Sequence, residues 1–344
     1  MLQLQNETPF AATIGLFPDT DGVETLYVVV RATFALVGSA LKIAEKQRPI
    51  RLVDEYSGDP ARSSLAHAGE MHLQKPSTDV VLLGDAWAPQ ARPASECDVM
   101  LRVGEVRKVV RVFGDREWKG ALGEKVSSPA PFTRMPLVYE RAFGGVLELD
   151  PETKRATIEP RNPAGVGFAR RGKQGEPAAR QLPNIEDPAH LIARPSDTPP
   201  PAGFGYIAPS WEPRRSFAGT YDEAWRKTRA PYLPTDFNPR FFNVAHPDLV
   251  CRRYLEGGEP VEIVNASPTG ILRFRLPRCH LGAEVRIAEA IERPALRLET
   301  AVLEPNDGAI GLLWRGAVRC DKRSLKINKV RIGLNALDLG ARSG

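Results

Sequence analysis

Cysteine is scarce in this sequence: Cys97, Cys251, Cys279 and Cys320 are the only four among 344 residues, and none forms a CxxC pair. Such scatter excludes a disulfide scaffold. Long apolar runs are missing too, and none approaches the roughly 18 residues of a spanning helix. Met1 to Phe10 carries no Lys or Arg and no apolar h-region, so no signal peptide is visible. These absences lead us to expect a cytoplasmic chain with reduced thiols and no membrane partner. A strong charge of either sign is also lacking, with 47 Lys and Arg against 42 Asp and Glu. A nucleic-acid partner would therefore require the basic residues to be concentrated in one place.

Proline and glycine, by contrast, are plentiful. The 31 prolines and 29 glycines make up about 17 per cent of the chain, against about 12 per cent in average proteins. That excess disfavours a helical bundle or a doubly wound sheet, which need long runs free of breakers. With 42% hydrophobic residues the chain can still bury a core. A turn-rich protein of short strands is expected.

Both ends have β patterning. Residues 26–36 alternate, with Val28, Val30, Ala32, Phe34 and Leu36 on one face and Arg31 and Thr33 on the other. Residues 99–103 and 107–113 flank Gly104-Glu105, a pair suited to a type II′ hairpin. Near the C-terminus, residues 261–266 and 271–276 flank a Ser-Pro-Thr-Gly turn, and residues 296–302, 310–318 and 325–334 read as a meander. Alternation slips at Asn328-Lys329, the mark of a bulge. The middle differs: residues 151–240 hold 15 of the 31 prolines, and residues 204–242 hold ten of the 25 aromatic residues. Thr220 to Glu223 fits a capping box for one short helix, with Arg226, Lys227 and Arg229 at its C-terminal end and Pro231 beyond it. Residues 247–255 suggest a second short helix. The fold class is therefore mainly β, a β-rich α+β chain. Two antiparallel lobes, residues 1–150 and 256–344, are joined by an ordered, loop-rich region over 151–255.

No familiar catalytic frame is present. Gly167 to Lys173 matches the start of a phosphate-binding loop, but Gln174 stands where Ser or Thr must reach magnesium. Asp19 to Gly22 begins like a calcium loop, yet Val23 and Glu24 occupy positions needing an oxygen ligand and a glycine. A surface turn is the plainer reading. His67 and His72 are five apart, and Cys279-His280 lacks further ligands nearby, so no metal site is assigned. There is no GxSxG elbow. No catalytic, cofactor-binding or metal residue is assigned, and no cofactor is expected. In residues 204–242 six basic residues are offset by four acidic ones, which is too weak for a phosphate track. The same aromatic and arginine mixture suits core packing or a protein interface.

Motifs along the chain then point to a family. In order they are Asn6 to Phe10, Lys75-Pro76-Ser77-Thr78-Asp79, Gly84 to Pro89, and Val112 to Trp118. Met135 to Gly145, Asn162 to Phe168, Leu182 to Glu186 and Gly219 to Phe237 follow. Over about residues 2–335 this order resembles the domain-of-unknown-function 2169 family, found beside type VI secretion components. The resemblance implies a cytoplasmic, non-enzymatic adaptor or chaperone that binds a secreted effector. It would help load that effector onto a spike of VgrG and a PAAR-type tip. A protein partner is expected, without nucleic acid or membrane. Arg141 and Phe143, with Trp211, Arg214, Arg226 and Arg229 in the aromatic–basic segment, are the residues expected to contact it. The competing readings are a hydrolase or effector with a site between the lobes, and a structural component of the secreted particle.

Overall fold

The computed structural model describes residues 2–38, 40–119, 125–147, 157–168 and 181–340. Strands dominate, as the alternation of apolar residues implies. The Glu24–Val37 strand is the spine of a six-stranded sheet, and its β-branched run Val28 to Val30 suits a pleated surface. Ala11–Pro18 pairs on one side and Ala309–Arg319 on the other. Arg297–Glu304 and then Asp79–Leu82 extend the sheet, the last contact being parallel. Ala40–Ile43 pairs the far end of the spine.

A five-stranded antiparallel sheet runs in the order Ile185–Glu186, Val106–Phe113, Glu96–Val103, Pro260–Val264, Ile271–Arg275. A four-stranded sheet joins Gln3–Asn6, Ile327–Asp338, Arg278–Ile287 and Ala290–Glu292. All three sheets mix strands from the first and last thirds of the chain. The boundaries expected at 150 and 255 therefore do not follow sheet boundaries. Partners of a strand are chosen by packing across long sequence separations, which local periodicity does not encode. The expected meander divides for the same reason: 297–304 and 309–319 pair with each other, while 327–338 joins the four-stranded sheet. One apolar cluster extends from Phe10 to Ile332.

Several local signals are realised. Val103 pairs with Val106 across a two-residue loop, and Gly104 has φ +55°, the sign that the first position of a type II′ turn demands. Opposite the 327–338 strand, Arg286 pairs with Lys329 and Ile287 with Ile327, so Asn328 is the extra residue of a bulge. The short helix spans Glu223–Thr228. Its cap is Asp222, whose side chain accepts from the Trp225 amide at 2.8 Å. Thr220 instead donates to Asp236 at 2.7 Å, so the expected capping box does not form. The helix expected at 247–255 is only a single 3₁₀ turn, Pro247–Leu249. Beyond it the chain extends, because the Cys251 amide donates to the Thr78 carbonyl and Leu255 bridges Leu298.

Candidate protein-binding cleft

Six buried ionic groups root the loop-rich region to the six-stranded sheet. Asp79, fully buried at the start of its strand, accepts from Lys75 Nζ at 2.6 Å, Asn243 Nδ2 at 2.9 Å and the Val244 amide at 2.8 Å. Lys75 Nζ also donates to Thr300 Oγ1 at 2.9 Å, and its amide donates to Glu299 Oε1 at 2.7 Å. Glu299 is the bulged residue between Leu298 and Thr300, which turns its carboxylate onto Arg315 Nε at 2.8 Å. Arg315 in turn donates to the Glu70 carbonyl at 2.5 Å, and Glu70 pairs with Arg31. Three cations thus meet three carboxylates, which is what makes their burial tolerable. Burial raises Glu299 above the usual carboxylate range against the pull of Arg315 and Lys75, and lowers Arg31 to about 10.

The segment carrying Lys75, Thr78 and Asp79 also forms part of a surface cleft. Thr78 Oγ1 donates to the Leu298 carbonyl and accepts from the Leu255 amide at 2.8 Å, which fixes the local backbone. Pro76 and Ser77 then line an opening of about 420 Å³ together with residues from 207–217 and 240–252. That volume lies in the range of about 300–1,000 Å³ usual for small-ligand sites. Its apolar wall includes Ile207, Phe217, Pro247 and Val250. Arg214, Arg240 and Arg252 also line it, and among the described residues the lining contains no Asp or Glu. Arg214 is buried, donating from Nε to the Phe241 carbonyl at 2.9 Å and from Nη1 to the Ile207 carbonyl at 2.6 Å. Burial lowers its pKa to about 10, which leaves it charged at neutral pH.

The residues expected from sequence to contact a partner do not form one surface. Arg214 alone lines the cleft. Trp211 is buried and packs edge-on against Tyr139, with centroids 5.6 Å apart. Phe143 is buried against Phe168. Arg141 binds Asn184 Oδ1 at 2.9 Å, in a joint that also uses Asn184 Nδ2 on the Phe113 carbonyl. Arg226 is exposed and paired with Glu223 at 2.8 Å. Arg229 is half-buried and donates to the carbonyls of Leu233 and Thr20, so it ties the helix to the turn before the sheet spine. The sequence reading missed Asn243, Arg240 and Arg252. Arg240 lay within the aromatic–basic segment already singled out, but nothing local marked it apart from its neighbours.

The weaker sequence candidates resolve individually. Asp19 Oδ1 accepts from the amides of Asp21 and Val23, and Arg319 pairs with Asp19, so this segment is a surface turn tied to the sheet. His72 lies in the buried network, stacked on Phe242. Cys279 and His280 sit on successive positions of the Arg278–Ile287 strand, with Cys279 buried. Most of the phosphate-loop match, residues 169–174, lies outside the described residues. A further cleft of about 290 Å³ is lined by Ser57, Ser64 and His67. Ser64 Oγ there is held by the Glu140 carboxylate at 2.8 and 2.9 Å, and among the described residues no hydroxyl hydrogen-bonds His67.

Fold and cleft together define a mainly β protein with one continuous core and an arginine-lined opening mounted on a buried ionic anchor. The chain belongs to the DUF2169 family, described as "Uncharacterized protein conserved in bacteria", whose model matches residues 21–315. The matched span includes the whole anchor and the whole cleft. No curated protein and no solved structure matches the chain. No helix among the described residues is long and apolar enough to cross a membrane.

Proposed function

We propose that this protein is a non-enzymatic adaptor that binds a secreted effector and helps load it onto a type VI secretion spike of VgrG and a PAAR-type tip. The observation that carries the protein-binding part is the cleft. Three arginines without an acidic neighbour in the lining stand beside apolar walls, a combination characteristic of interface anchors. The anchor beneath supports the same reading. It holds the cleft loops at fixed positions, so less conformational entropy is lost when a partner docks. The type VI part rests on the family resemblance of the ordered motifs from Asn6 to Phe237.

Co-purification of the tagged chain with the effector and spike protein encoded beside it tests this function. The adaptor retains at least one of them at micromolar concentration, and deleting its gene stops secretion of the effector. Failure of both partners to bind, with secretion intact in the deletion strain, would overturn the proposal.

A further inference from the structure

Two polar groups on residues that line the cleft have no protein partner among the described residues, and they are of opposite kinds. Asn243 is buried at 7% exposure, and its Nδ2 is committed to two acceptors, the Ser77 carbonyl at 3.3 Å and Asp79 Oδ1 at 2.9 Å. Those two acceptors fix the orientation of the amide. Asn243 Oδ1 then has no hydrogen-bond partner although it is buried in a residue that lines the cleft. It needs a donor. Arg214, also 7% exposed, uses Nε and Nη1 on main-chain carbonyls, and its Nη2 has no partner among the described residues. That nitrogen is free to take an acceptor from a partner. Arg214 makes no ion pair among the described residues, and neither do Arg240 and Arg252, both exposed at the rim. The unmet requirement is therefore an anion, a nearby N–H, and an apolar group to cover the wall formed by Ile207, Phe217 and Val250.

We propose that this cleft captures the C-terminal residue of a partner protein. The terminal carboxylate meets the arginines, the amide N–H of the same residue donates to Asn243 Oδ1, and an apolar last side chain fills the wall. Capture of a chain terminus by convergent donors is an established recognition mode. The charge-assisted contacts that a planar carboxylate makes with guanidinium groups supply its specificity. The inference rests on the adaptor proposal and adds to it the chemistry of what is bound.

The test uses the full chain and three probes followed by calorimetry: acetyl-Gly-Gly-Phe as the free acid, the same peptide as its C-terminal amide, and acetyl-phenylalanine. The free acid binds below about 1 mM, the range expected of a single-residue anchor. The amide binds at least about tenfold more weakly, because it cannot engage the arginines as an anion. Acetyl-phenylalanine binds more weakly than the tripeptide acid, since the open rim allows the upstream chain to add contacts. The double variant Arg240→Gln/Arg252→Gln changes only exposed side chains. It keeps the wild-type melting temperature and loses the preference for the free acid. Equal binding of acid and amide, or no saturable binding of the acid, overturns the proposal, as does an acid preference that survives the double variant. Acetyl-phenylalanine binding as tightly as the tripeptide would make the site one for a small N-acyl amino acid and also overturn it. A chain that retains its effector while ignoring all three probes sinks this inference and leaves the adaptor function standing.

Discussion

Replacing Asp79 by Asn tests whether the buried anchor holds the loops to the sheet. Asp79 is fully buried and accepts three hydrogen bonds, from Lys75, Asn243 and Val244, at 2.6 to 2.9 Å. An asparagine offers one oxygen. Turned toward Lys75 and Val244, it sets its own NH₂ against Asn243 Nδ2, so two donors face each other. The Lys75 ammonium then faces only neutral acceptors, that amide oxygen and the Thr300 hydroxyl, in place of a carboxylate charge. Removing one member of a buried ion pair typically costs about 3–5 kcal/mol, because the surviving charge stays buried. Replacing Lys75 by Met in the same chain removes that stranded charge. The double variant should therefore cost clearly less than the two single costs added together, with a coupling of about 1–3 kcal/mol. Guanidinium unfolding at neutral pH, followed by tryptophan fluorescence, measures all four corners of the cycle. Limited proteolysis of Asp79→Asn should also show earlier cleavage within residues 205–255. A cost for Asp79→Asn below about 1 kcal/mol, or strictly additive effects, would refute the reasoning.

Other outcomes follow from the same structure. Asn162 is fully buried, and its Nδ2 bridges the carbonyls of Tyr139 and Phe143 at 2.8 and 3.0 Å. Asn162→Ala should cost about 2–3 kcal/mol in denaturant unfolding by leaving both carbonyls unpaired. Trp225 is only half-buried, and its indole donates to the Tyr232 carbonyl at 2.8 Å. Trp225→Ala should therefore cost less than about 2 kcal/mol in the same assay, short of the 3–5 kcal/mol typical of a core aromatic. His72 and His246 are both held below the ordinary 6.5 by burial, His72 beside Arg315 and Lys75 and His246 beside Lys108. With folded pKa values depressed, their contribution is complete above about pH 6.5 and is lost as pH falls. At the steepest point two such groups give about 3 kcal/mol per pH unit. The unfolding midpoint should thus be clearly lower at pH 5.5 than at pH 7.5. A midpoint that stays constant or increases as pH falls from 7.5 to 5.5 would contradict neutral burial of these rings.

The local features legible in the sequence were those whose chemistry is itself local. Gly104 announced its turn because only glycine takes that conformation cheaply at the first position of the loop. Asn328 announced its bulge because a one-residue slip shows directly in a two-residue alternation. The Glu24–Val37 strand was legible, but the burial of both its faces was not. Arg31 and Thr33 looked like a polar face, yet Arg31 pairs with Glu70, and Gln47 hydrogen-bonds the Thr33 backbone at 2.8 and 2.9 Å. The strand Arg278–Ile287 was passed over, although Ala283, Val285 and Ile287 alternate and are buried.

The cleft was much less legible than the fold. Its parts come from three separated stretches, near residues 76, 214 and 250, and only the folded chain brings them together. In the sequence, Lys75 to Asp79 is a family motif whose residues carry no local sign of a physical role. In the folded chain Lys75 and Asp79 form a buried ion pair, while Pro76 and Ser77 between them line the opening. The aromatic–basic segment was noticed as well, but its rings divide. Phe204, Tyr206 and Trp211 are buried, whereas Tyr221 and Tyr232 are exposed. Composition alone could not make that division, because an aromatic ring suits a core and an interface equally.

The most direct measurement is calorimetric binding of the purified neighbouring effector to the wild-type chain and to an Arg240→Glu/Arg252→Glu variant of unchanged melting temperature. An adaptor that grips its cargo through this cleft binds in the wild-type form at micromolar concentration and loses at least about tenfold on charge reversal. Equal affinity in the two forms, or an effector that binds neither, would contradict the account.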